Sequence, residues 1–581
     1  MKAKRGLKGQ LRKGTAMLLS MLLLIQMTGC AKSSNSMLSE DIQNSTSSSA
    51  ADSGYSSTKA DTVYDMTMEA SEKSTTAGIM SDGAAAEWVW PEENPDWNTE
   101  EYNAITENGF QSVAKNPLST FSADVDTASY SNVRRLLMAG SNVDPGAVRI
   151  EEMINYFSYD YKEPEAGEPF GVTMEMSDCP WDEDTKLLML GLKTEDLDRS
   201  MAPHSNLVFL LDVSGSMYDE DKLPLVQKAF QLLTDNLSEN DRISIVTYAG
   251  SDQVVLEGVS GDQKEKIMDA VNSLEASGST AGSAGIQTAY QIAEKYFIKG
   301  GNNRIILATD GDLNVGITST SELTELVQQK RESRVYLSVL GFGTGNIKDD
   351  KMEALADNGN GNYSYIDSIK EAKKVLVEEM GANLVTVAED VKFQVEFNPQ
   401  NVKGYRLIGY ENRVLENQDF EDDTKDAGEI GAGHTVTVLY EIIPVDSDKE
   451  VYEPTLKYQS EEKVEIEEEI SKETTTIEDS RQTTMLNEYA TLSIRYKKPG
   501  EHTSNLLSYE IKRSDETDTP SKDFRFAAAV AEFGMLLRNS EYCGNITYRD
   551  ILSQLDKNYA DEYKQEFLSL VSLASTQSIP E

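Results

Sequence analysis

Histidine and cysteine are nearly missing from this 581-residue chain, three of each, at His204, His434 and His502 and at Cys30, Cys179 and Cys543. Zinc centres draw on imidazole and thiolate, so this thin and scattered supply argues against one. Positive charge is also scarce, 54 Lys and Arg against 99 Asp and Glu, leaving a net charge of −45. So acidic a surface repels phosphate backbones, which sets nucleic acid aside as a partner. No apolar run reaches the roughly 20 residues of a bilayer-spanning helix. The Gly-rich stretch 277–285 has no Lys, so a Walker-type nucleotide site is also set aside.

The N-terminus carries a leader. Lys2, Lys4, Arg5, Lys8, Arg12 and Lys13 precede a 12-residue apolar run, 16–27, which Thr28, Gly29 and Cys30 follow. Basic, then apolar, then small residues is the order of a signal peptide. Its end resembles the bacterial lipoprotein cleavage box, with Met27 where Leu is more usual. That resemblance implies a mature N-terminus at Cys30 that carries lipid, hence an extracytoplasmic protein anchored at one end to the bacterial membrane. Export permits disulfides, so Cys179 and Cys543 are open to pairing; with only two, so far apart, single thiols are the expectation.

Composition divides the rest. Residues 31–84 are rich in Ser, Thr, Ala, Asp and Gly and predict a stalk that cannot bury enough apolar surface to fold. Residues 85–200 predict an α+β extension with helices around Tyr130–Leu137 and Val148–Phe157 and strands at 171–176 and 187–192. Asp124 and Asp126, just before the first helix, are expected to cap its N-terminus rather than to form a second metal site. Residues 201–380 alternate strictly. Strands are expected at 206–211, 242–248, 304–308 and 334–341, with short edges at 253–256 and 362–366. Helices are expected at 223–237, 263–274, 283–297, 321–329 and 348–356. Continuous apolar strands with intervening helices predict an α/β module with a doubly wound, mostly parallel sheet. Period-two runs return in 381–515, at 391–397, 405–415, 436–442, 455–458 and 491–496, as strands with one polar face. Residues 461–480 read as a solvated acidic insertion, and 516–581 as a helical region with helices at 524–537 and 563–573. Because β-rich sequence flanks the α/β module on both sides, the flanks are expected to pack together with the module inserted between them.

Three stretches of the module carry chemistry. One strand ends in Asp212-Val-Ser214-Gly-Ser216, a later one in Asp310-Gly-Asp312, and between them Ser277-Gly-Ser-Thr280-Ala-Gly leads into a helix. Functional loops of open α/β sheets lie beyond the carboxyl ends of the strands, so the three tips should be neighbours. Carboxylate and hydroxyl oxygens are hard donors that suit Mg²⁺ or Mn²⁺. Few carboxylates and several neutral hydroxyls leave a cation under-neutralised, which favours an incoming carboxylate as its last ligand. Asp219, Glu220 and Asp221 read as charges at a helix N-terminus, and Asp312 as a solvated loop acid rather than one tuning the site.

DVSGSM, GSTAG and ATDGD, in this order on an alternating α/β pattern, resemble the von Willebrand factor type A domain and its metal-ion-dependent adhesion site. The resemblance implies that Ser214, Ser216 and Thr280 ligate a divalent cation, with Asp212 and Asp310 acting directly or through water and one position left for a partner's Asp or Glu. Mg²⁺ is the first choice, with Mn²⁺ or Ca²⁺ as alternatives. FSADVDTASYSNVRRLL, RIEEMINYF, YRLIGYENR and DAGEIGAGHTVTVLYE resemble extensions found around such domains in bacterial lipoproteins.

An enzyme is not expected. A nucleophilic serine needs a base, and no His lies near the three tips in sequence, although His204 precedes the first strand. A metal-assisted phosphatase would want more acidic ligands and two cations. The expected function is a lipid-anchored envelope protein that binds a protein or peptide ligand through a cation-bridged carboxylate, and neither nucleotide nor nucleic acid. A scaffold whose metal only stiffens the loops is the alternative, and a metal-dependent hydrolase the weaker one.

Overall fold

Strands Ser205–Asp212 and Arg242–Tyr248 run side by side in parallel through the middle of the α/β module. A computed structural model describes them together with residues 98–196, 203–278, 282–311, 320–379, 383–453 and 487–577. The leader with Cys30, the stalk, Thr280, Asp312, strand 455–458 and the acidic insertion lie outside the described residues. In chain order the strands are β1 Gln111–Ser112, β2 Leu118–Ser122, β3 Phe170–Asp178, β4 Lys186–Thr194 and β5 Ser205–Asp212. β6 Arg242–Tyr248, β7 Asp252–Ser260, β8 Asn302–Thr309, β9 Tyr336–Phe342 and β10 Tyr363–Ile366 complete the module. β11 Thr386–Phe397, β12 Val402–Ile408, β13 Gly428–Gly431, β14 Thr435–Pro444, β15 Glu488–Lys497 and β16 Asn505–Lys512 follow.

The module's sheet has the order β10-β9-β8-β5-β6-β7, parallel except for β7. Successive side chains of a strand point to opposite faces. Leu207, Phe209 and Leu211 of β5 therefore enter one core, under helix Leu223–Asp235. Val208 and Leu210 enter the other, under helices Gly282–Lys295 and Asp349–Asn358. An apolar face is needed on both sides, which explains the unbroken run LVFLL, 207–211.

The flanks share sheets. β1-β12-β14-β4-β3 is antiparallel, with β4 from before the module paired to β14 from after it, Leu190 opposite Val438. β2 likewise pairs with β11 in the second sheet, beside β15 and β16. The strand expected at 187–192 forms as β4, and it is apolar on both faces. Leu188, Leu190 and Leu192 pack between the two sheets, while Leu187 and Met189 face helices Ala128–Met138, Ile150–Asn155 and Lys522–Arg538. The helical tail thus closes over the outer face of a sheet, and buries β4 twice. Cys179 and Cys543 are both free thiols.

Other differences have local causes. The strand expected at 405–415 stops at Ile408, because Gly409 and Tyr410 both take positive φ, 75° and 60°; the buried Tyr410 hydroxyl donates to Thr437 O. β16 and the helix Tyr548–Gln554 are additional to the expected elements.

Asp124 and Asp126 cap nothing: the first helix starts after Thr127 without a side-chain cap. They bind Arg413 instead, at 3.0 and 3.2 Å, and Arg413 also reaches Asp357 at 2.6 Å and Glu353 at 3.4 Å. Asp126 also accepts from the Tyr363 N–H, in β10 of the module. Nearby, Arg149 binds Asp349 at 2.5 Å and Glu353 at 2.7 Å. Arg134 joins Asp367 and Glu371 to Glu566 of the last helix, Glu562–Gln577. Buried ions thus link the module to both flanks.

Candidate cation site

Asp212 ends β5 and Asp310 follows β8 directly, so adjacent parallel strands deliver two carboxylates to one edge. Both are 1% exposed. Gly215–Tyr218 forms a single tight turn after Ser214, and Met217, fully buried, pins that turn to the core. Ser214 and Ser216 are thereby brought together, their hydroxyl oxygens 2.9 Å apart. Asp212 Oδ1 accepts from the Ser214 N–H at 2.9 Å, and its Oδ2 accepts from the Thr309 hydroxyl at 3.3 Å.

The third stretch approaches the same turn. Gly215 N–H donates to Gly278 O at 3.0 Å, and Ser277 N–H donates to Val213 O at 2.8 Å. The chain therefore touches the serine turn two residues before Thr280, which itself lies outside the described residues. On the other side Gly311 takes φ +99°, and a Cβ there would stand 2.7 Å from Asn346 O and Lys348 N. Glycine lets the loop after Asp310 turn against the loop after β9.

The electrostatics match a cation. Burial, together with the neighbouring Asp310 charge, pushes the Asp212 carboxyl up to about 6 against the pull of the Ser214 donors. The Tyr248 hydroxyl, buried beside this pair and held well above its usual range by burial and by Asp212, makes no hydrogen bond of normal geometry. Two buried carboxylates that repel each other, beside two paired hydroxyls, suit a hard divalent ion. Among the described residues no three His, Cys, Asp or Glu side chains gather as a metal centre, so hydroxyls would have to complete the ligand set.

Lys222, missed in the sequence, is part of this site: its ammonium binds Asp310 Oδ2 at 3.1 Å. The signal was a single cation after Asp219-Glu220-Asp221, easily read as one more solvated charge. Those three acids precede helix Leu223–Asp235 rather than occupying its first turn, which holds none. At the rim, Gly215 and Tyr218 are exposed, Tyr218 at 78%, while Ser216 is half-buried.

No histidine shares this edge. His204 sits at the opposite end of β5, where it and His434 line a cavity of about 580 Å³ between module and flanks. Burial lowers His434 to about 4, so it stays neutral.

Comparison with known proteins matches these parts. The family model described as von Willebrand factor type A domain covers residues 206–378, and one described as von Willebrand factor covers 96–189. A third, described as uncharacterized protein YfbK, C-terminal, covers 382–577. The uncharacterized protein YfbK of Escherichia coli (strain K12) is 43% identical over 490 residues, 82% of this chain and 81% of that protein. Inter-alpha-trypsin inhibitor heavy chain H3 of Homo sapiens is 27% identical over 195 residues, 32% of this chain and 22% of that protein. The solved von Willebrand factor type A protein of Catenulispora acidiphila is 14% identical with a TM-score of 0.38, covering 73% of this chain and 99% of that one. With its type A module set between matched extensions on both sides, the chain belongs to the YfbK family of von Willebrand factor type A domain proteins.

Proposed function

We propose that this protein binds a protein or peptide ligand through a divalent cation held by Asp212, Ser214, Ser216, Thr280 and Asp310, the ligand supplying an Asp or Glu carboxylate. Mg²⁺ is the first candidate, with Mn²⁺ or Ca²⁺ as alternatives. The observation that carries this reading is the pairing of the Ser214 and Ser216 hydroxyls at 2.9 Å beside two buried carboxylates, under an open rim. Type A domains commonly bind a divalent cation at such a place, which supports the assignment. Binding rather than catalysis is favoured because His204 and His434 line the cavity at the far end of the sheet, away from the paired serines. In the same reading Cys30 carries lipid and fixes the protein to the outside of a bacterial membrane, with neither nucleotide nor nucleic acid as partner.

The test is capture of envelope proteins by wild type and Asp212→Ala, each in Mg²⁺ and in chelator. Partners retained by wild type in Mg²⁺ alone are the expected result. Equal capture in all four conditions would sink the mechanism. One observation favours a scaffold instead, the buried arginine clusters that lock module to flanks. In that case chelation lowers the melting temperature and leaves capture unchanged.

A further inference from the structure

Lys222 is buried along with the carboxylate it binds, with side-chain exposures of 6% for Lys222 and 1% for Asp310. Lysine rarely goes inside, and when it does it needs a partner. The fold also encloses its stem. Gly343, just past β9, takes φ +75°, and a Cβ there would lie 2.3 Å from Lys222 Cγ. Only glycine leaves room for the lysine chain at that turn. The Tyr365 hydroxyl donates to Gly343 O at 2.5 Å and fixes the turn in place. Two separate elements, the turn after β9 and the approach to helix Leu223–Asp235, thus hold one ammonium against Asp310.

We infer that Lys222 is a specificity-determining residue: its charge weakens the site for a cation alone and strengthens the cation-loaded site for a ligand carboxylate. This rests on reading the site as a cation site. Contrary to the under-neutralised site expected from the sequence, two ionised aspartates alone would balance a divalent ion's charge, and a further carboxylate would then meet no net attraction. With the ammonium present the loaded site keeps one positive charge, which an incoming carboxylate cancels. At separations of a few ångströms in a partly buried site, one unit charge changes affinity many-fold. Linkage then requires that cation and carboxylate each tighten the other by the same factor. Lys222 makes the site respond to the two together.

The experiment is calorimetric titration of the full chain with Mg²⁺ and with Mn²⁺, in chloride and then in acetate at equal ionic strength. Lys222→Met in chloride should bind Mg²⁺ at least about tenfold more tightly than wild type, and Lys222→Arg should stay within about threefold of wild type. Acetate should tighten Mg²⁺ binding to wild type and leave Lys222→Met unchanged. Affinity in Lys222→Met equal to or below that of wild type overturns the inference. Should that variant fail to fold, wild-type Mg²⁺ affinity indifferent to acetate overturns it as well. A wild type that binds neither ion removes the cation-site reading itself, an outcome distinct from wild-type binding that Lys222 does not modulate.

Discussion

Replacing Arg413 with Met keeps the apolar stem and removes the charge on which Asp124, Asp126, Glu353 and Asp357 converge. Breaking a buried ion cluster by deleting one partner destabilises by about 3–5 kcal/mol, because the remaining charges stay buried and uncompensated. Unfolding entropy grows with length, and a unit of this size loses roughly 1 °C in melting temperature per kcal/mol. A fall of about 3–5 °C is therefore expected near pH 8. The effect should shrink in acid, and its sign follows from the carboxyls. Burial raises Glu353 from 4.5 to about 8 despite Arg149 and Arg413, and burial likewise lifts Asp126 and Asp357. Between their unfolded and folded values these groups bind more protons folded than unfolded, so stability declines as pH rises through that window. Without Arg413 the carboxyls move further up, and the decline steepens. Near pH 5, with Glu353 protonated and burial drawing Asp126 and Asp357 toward their neutral forms, less charge is left uncompensated, so the loss should be clearly smaller than at pH 8. Calorimetric scans of both proteins from about pH 5 to 8.5 check this, since contributions from distant groups cancel in the difference. A loss of the same size at both ends of the range, or one below about 1 °C at pH 8, would refute the reasoning.

Three further outcomes are expected. Asp212→Asn removes a buried charge that the fold resists above about 6, so without cation it should be more stable than wild type by about 1–2 kcal/mol at pH 8 and no different at pH 4; denaturant melts at both values decide it, and the Mg²⁺-induced shift should vanish. Gly361→Ala places a Cβ 2.0 Å from the Leu337 carbonyl oxygen, a clash with backbone that should lower stability by at least about 2 kcal/mol, read by thermal melting. A thiol reagent on native protein should modify the half-buried Cys543 and spare Cys179, whose thiol burial pushes upward, with mass spectrometry counting the adducts.

The α/β module was legible because its strands must be apolar on both faces and its helices on one, so type and order of elements follow from periodicity. The ends of β5 and β8 were legible for a different reason: an acid directly after an apolar run has no packing role. Asp124 and Asp126 were misread because their partner Arg413 lies 289 and 287 residues away, while a helix start lay next to them. Lys222 was missed for a similar reason: Asp310, 88 residues on, gives it its meaning. β16 was hard to see because its alternation puts Leu506 on the exposed side.

The pairing of β4 with β14 also sets a timetable. Met189 lies opposite Leu439, 250 residues later in the chain. At a synthesis rate of about 5–20 residues per second, an early strand waits roughly 10–50 s for its neighbour. Throughout that interval the run LLMLGL has a bare edge and two uncovered apolar faces, while every strand of the inserted module can find its partners sooner. A cell making this protein must therefore shield the first strands until nearly the whole chain exists, and truncation after the module would leave them permanently exposed.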